Sequence, residues 1–119
     1  MQSLQPEPSP YQHVLCDFSG VSSIKLRDVS LLTGLLIAGA GAAGFSSVAP
    51  PIVRKLPSET VSGVLLLDGC HIALHALPDR ELLLLDVLAH ANHDPGKVID
   101  VFARRLAPSA IHGETHLRG

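Results

Sequence analysis

The stretch from Ser62 to Asp79 limits the fold most. Val64-Leu65-Leu66-Leu67 is an apolar run too short for a helix, so it reads as a buried strand. Asp68-Gly69 follows, a dipeptide suited to a tight hairpin turn. From His71 to Leu77 the pattern alternates, with Ile72 and Leu74 on one face and His71, Ala73 and His75 on the other. A β-hairpin therefore lies mid-chain. It carries a thiol, Cys70, at its turn, one step from His71 and a few steps from His75 on the same strand. This is where the sequence concentrates reactive groups.

At 119 residues the length predicts one domain over residues 11–119, preceded by a tail over residues 1–10. The tail holds Pro6, Pro8 and Pro10 and has neither the basic start nor the apolar stretch of a signal peptide. Hydrophobic residues make up 46% of the chain, and its mean hydropathy is +0.32, which predicts apolar surface buried against a second subunit. Aromatic residues are 3%, the net charge is −2 and no basic run occurs, so nucleic acid is excluded as a partner. Cys16 and Cys70 lack C-x-x-C spacing and cannot form a disulfide framework, which points to a reduced, cytoplasmic setting.

Around the hairpin the remaining elements follow from pattern. Tyr11 to Phe18 reads as a first strand. Asp28 or Ser30 caps a helix running to Ala42, ended by Gly39, Gly41 and Gly44. The span from Asp28 to Arg54 holds no charge between its ends, but its glycines and prolines favour a buried helix over a membrane span. Gly39-x-Gly41-x-x-Gly44 matches a dinucleotide fingerprint by letters only, because it closes a helix instead of linking a strand to one. Phe45 to Val53 reads as an edge strand, given Pro50 and Pro51. Leu82 to Leu88 is a further buried strand, and residues 89–94 form a loop. Asp94-Pro95 opens a helix with Val98, Ile99, Phe102 and Leu106 on one face. A short strand, Ala110 to His112, closes the chain. The order β-α-β-β-β-α-β predicts an α+β two-layer sandwich, with two helices on one face of a mainly antiparallel sheet. His90, His93 and Asp94 crowd one loop with poor geometry for a metal, and no metal site is expected.

Several of these landmarks keep a family's order and spacing. Val61-Ser62-Gly63, a strand, Cys70-His71, His75, Leu77-Pro78-Asp79, another strand and Asp94-Pro95 together resemble the small prokaryotic S-adenosylmethionine decarboxylases. The resemblance implies a proenzyme that cuts its own backbone and converts the residue after the cut into a pyruvoyl group. It also implies a homo-oligomer with sites at subunit contacts and a small-molecule substrate in polyamine synthesis. On this reading the cut falls between Gly69 and Cys70, with Cys70 standing where the family has Ser. Ser62 and His75 match the residues that assist processing. The family's Cys proton donor falls in the segment where this chain has His90. Ile52, Leu77 and Asp79 take the substrate-binding positions, the first two replacing aromatic residues and the last a Glu. Three activities stay open at this point: decarboxylation of S-adenosylmethionine, decarboxylation of ornithine or arginine on the same scaffold, or an uncleaved, non-catalytic paralogue.

Overall fold

The structure is a computed structural model and describes residues 10–119; most of the proline-bearing tail lies outside the described residues. One six-stranded antiparallel sheet organises it. The strands are β1 (Tyr11–Ser19), β2 (Ile52–Lys55), β3 (Val61–Leu66), β4 (His71–Leu77), β5 (Leu82–His90) and β6 (Ala110–Arg118). Their order across the sheet is β2-β3-β4-β5-β1-β6. Two longer helices, α2 (Val29–Ala42) and α3 (Gly96–Leu106), pack together over one face, and a single-turn α1 (Ser23–Leu26) precedes them. This is the α+β sandwich the element order predicts.

Alternation makes the covered face. Val61 and Leu65 from β3, Ile72, Leu74 and Ala76 from β4, Leu83, Leu85 and Val87 from β5, and Cys16 and Phe18 from β1 are all buried. They meet Leu32, Leu35 and Leu36 of α2 and Val98, Phe102 and Leu106 of α3. Asp28 caps α2, its Oδ1 accepting from the Leu31 backbone N–H at 3.0 Å. Gly39, whose spacing imitates a nucleotide fingerprint, serves helix packing: a Cβ there would lie 3.1 Å from Val98 Cγ1. The helices approach closely because that position carries no side chain. No helix among the described residues is long and apolar enough to cross a membrane.

Three expectations need correction. β6 runs nine residues, Ala110–Arg118, well past the short strand expected. It pairs along the full length of β1, so backbone pairing, not an apolar run, defines it. β2 covers only Ile52–Lys55, while Ser47 forms a lone bridge to Leu67, because Pro50 and Pro51 break the ladder before it. β5 extends to His90, so Ala89 and His90 belong to a strand instead of the loop.

Candidate active site

Among the described residues no helix covers the second face of the sheet, and most of the polar chemistry gathers there. The registers place Arg54, Ser62, His75, Leu84, Asp17 and His112 along one rung that crosses the whole sheet. Ser62 Oγ and His75 Nδ1 are 2.6 Å apart, a short hydrogen bond between directly paired residues of β3 and β4. Strand register alone makes this contact, since both side chains leave the same face of adjacent strands. Ile52 lies two rungs to one side, opposite Val64, and Leu77 two rungs to the other, opposite Leu82, both on the same face as the pair. The two therefore bracket the serine–histidine pair. Asp79 stands apart, beyond the end of β4, where it accepts from Arg27 at 3.4 Å.

Cys70 occupies the opposite face. The hairpin closes through Leu67 N–H to Cys70 O at 3.0 Å, with Asp68 and Gly69 as the two loop residues. Gly69, the second of the two, has φ +72°, a left-handed conformation that favours glycine at that position of a turn. The Cys70 side chain is only 3% exposed and joins Ile72 and Leu74 on the covered side. Burial pushes its thiol pKa up; a hydrogen bond with the His90 backbone opposes this and the nearby Asp68 charge adds to it. The thiol is thus protonated at neutral pH and needs a base to become a nucleophile.

The structure brings Ser62 to His75 but brings neither to Cys70. Five residue steps separate Cys70 from His75 along extended chain, about 16 Å at ~3.3 Å per residue. His90 is the expected residue that does stand at the turn. A Cβ added to Gly69 would lie 3.3 Å from His90 Nε2 and 3.6 Å from the Tyr11 hydroxyl. Tyr11 and His90 pack with ring centroids 4.8 Å apart, and beyond them His93 stacks on Phe45 at 4.4 Å. A wall of rings therefore flanks the Gly69-Cys70 peptide. Sequence reasoning missed Tyr11, which reaches the turn because β1 pairs with β5 in the register Tyr11–His90.

Sequence reasoning also missed a cluster on the open face. His13 Nε2 lies 2.5 Å from Asp86 Oδ1, and His71 Nε2 lies 3.4 Å from the same oxygen. Here β1, β4 and β5 each supply one group. The only sequence signal was His13 on the open-face phase of β1 and Asp86 within an otherwise apolar β5.

Comparison with known proteins follows the same layout. The family model for S-adenosylmethionine decarboxylase matches residues 12–119. The S-adenosylmethionine decarboxylase proenzyme of Aquifex aeolicus is 29% identical over 110 residues, covering 90% of this chain and 79% of that protein. The corresponding proenzyme of Caldanaerobacter subterraneus is 27% identical over 96 residues, covering 80% and 77%. The crystal structure of the adenosylmethionine decarboxylase from Aquifex aeolicus superposes with a TM-score of 0.85 at 25% identity, covering 95% of this chain and 93% of that one.

Proposed function

The chain belongs to the S-adenosylmethionine decarboxylase family, and on that premise we propose that it is a self-processing, pyruvoyl-dependent decarboxylase of S-adenosylmethionine serving polyamine synthesis in the cytoplasm. The observation that carries this reading is the 2.6 Å Ser62–His75 pair, together with a cysteine placed directly after a left-handed glycine turn. The family match gives no support to ornithine or arginine as substrate.

Processing starts at Cys70. Its Sγ attacks the Gly69 carbonyl carbon; the S–C bond forms, the C–N bond breaks, and the freed nitrogen takes a proton. A base then removes the Cys70 α-proton, and sulfur leaves with the Gly69 acyl group as a thiocarboxylate. Water replaces the nitrogen of residue 70, releasing ammonia and leaving a ketone. Sulfur suits both steps, since a thiolate is a strong nucleophile and a thiocarboxylate leaves readily. The raised thiol pKa sets the need for a base, and the His90 imidazole beside Gly69 is a base the same chain brings to the turn. The ketone supplies a Schiff-base site for the substrate amine and a sink for the electrons released with CO2.

Ser62 and His75 of the same chain stand too far from residue 70 to act there. A second copy supplies them. The open face carries exposed Leu15, Ile52, Val64, Leu66 and Leu84, an apolar surface that a facing copy would cover. Each copy would then offer its Ser62–His75 pair, with Ile52 and Leu77 beside it, to the Gly69–Cys70 peptide of the other, and cleavage there would free residue 70 from the covered side. In this arrangement His90 returns the proton to the product, and Asp79 provides a carboxylate at the rim of the substrate site.

Release of CO2 from carboxyl-labelled S-adenosylmethionine tests the reading. Turnover with this substrate and none with ornithine or arginine supports it. Turnover with ornithine or arginine instead would replace the substrate, and none with any of the three would leave the non-catalytic paralogue.

A further inference from the structure

We propose that His13, His71 and Asp86 form a binding site for one divalent cation of the zinc class, on the open face, with His71 the first strand residue after the processing turn. The site does not depend on the decarboxylase reading. Its ligand atoms are His13 Nε2, His71 Nε2 and Asp86 Oδ1, all within 4.8 Å of one another. Two imidazoles aim the same ring nitrogen at one carboxylate oxygen. Three neighbouring strands hold them, so no loop must order before a metal binds.

The distances suit a small cation. In a tetrahedral site with ligand bonds of about 2.0–2.1 Å, neighbouring ligand atoms stand roughly 3.3 Å apart. The His71–Asp86 separation of 3.4 Å already matches that edge. The 2.5 Å His13–Asp86 contact is a hydrogen bond, and a modest side-chain rotation would open it to the same length. Two histidines and one carboxylate are a donor set that zinc and its neighbours accept, with the fourth position left to water. Side-chain exposures of 20%, 33% and 39% for His13, His71 and Asp86 leave the site half-shielded and still open to an entering ion.

One neighbour opposes the ion and so sharpens the test. Arg118 Nη1 donates toward His13 Nδ1 at 3.4 Å. That contact keeps the proton of His13 on Nε2, the atom that must bind metal. Coordination would move the proton to Nδ1 and push the Arg118 side chain, which is exposed, aside. Removing Arg118 should therefore tighten binding, an effect that unspecific uptake by surface imidazoles would not show.

Isothermal titration of the chelator-treated full chain with zinc chloride, with cobalt(II) as a visible-spectrum probe, decides the matter. The expected result is one zinc per chain, a tetrahedral cobalt spectrum, and a melting temperature that rises with zinc. Asp86→Asn and His13→Ala should each weaken binding by more than roughly tenfold while melting normally without metal. Arg118→Ala should bind more tightly, and Cys70→Ala should bind as the unaltered chain does. No zinc uptake, equal affinity in Asp86→Asn and His13→Ala, or loss of binding in Cys70→Ala would each overturn the site.

Discussion

The two faces of the sheet share the same strands, yet they differ in almost every physical respect. The covered face is apolar from β2 to β1 and makes up the sheet's share of the core. The open face alternates with it residue by residue and carries Ser62, His75, His71, Asp86 and His13. A side chain on the first face pays its way in stability, whereas one on the second is free for chemistry or for a partner. The covered side also holds two thiols, Cys16 and Cys70, and the second follows directly on the hairpin turn.

The sharpest way to break this comparison is to truncate matched residues on the two sides. Leu74→Ala, on the covered face and fully buried, should cost about 2–5 kcal/mol in a urea melt. Leu84→Ala, on the open face and 36% exposed, should cost under about 1 kcal/mol at concentrations where the chain is monomeric. Equal costs would mean that the open face is a second core.

A second contrast separates chemistry from folding. His75→Ala should lower turnover by roughly 10²–10⁴-fold, the range for loss of a positioned acid–base group. Its stability should change little, because the Ser62–His75 bond is exposed. Mixing His75→Ala with Cys70→Ala chains should restore activity, since one site of the mixed dimer keeps both groups. Failure to complement would place the two groups in one chain's site.

The smallest effect expected concerns pH. Burial raises the thiol pKa values of both Cys70 and Cys16, with neighbouring Asp68 and Asp17 adding to it. In each case the folded pKa exceeds the unfolded one, so the folded chain holds the thiol proton more tightly. That contribution is complete below the ordinary thiol range and is lost as pH rises through it and past the raised values. Urea melts of the Cys16→Ala variant should therefore show a shallower alkaline loss of stability than those of the unaltered chain.

Much of this was legible in the chain itself. The Val64–Leu67 run, the Asp68-Gly69 turn and the His71–Leu77 alternation are local patterns, and the structure places them as strand, turn and strand. Sharing of one face by His71 and His75 follows from the two-residue period alone. Pairings between distant strands were not legible. Nothing local sets Tyr11 opposite His90, or His13 and Asp86 within bonding distance, because the β1–β5 register joins residues more than seventy positions apart. β6 was underestimated for the same reason, since all nine of its residues are exposed and leave no apolar run to read. The separation of Cys70 from His75 follows from strand geometry alone.

Mass spectrometry of the purified, denatured chain tests the central claim most directly. Self-processing predicts two fragments that meet between Gly69 and Cys70, the second beginning with a carbonyl group that reacts with hydroxylamine and lacks the cysteine sulfur. A single intact mass, with Cys70 still alkylatable after unfolding, would contradict it.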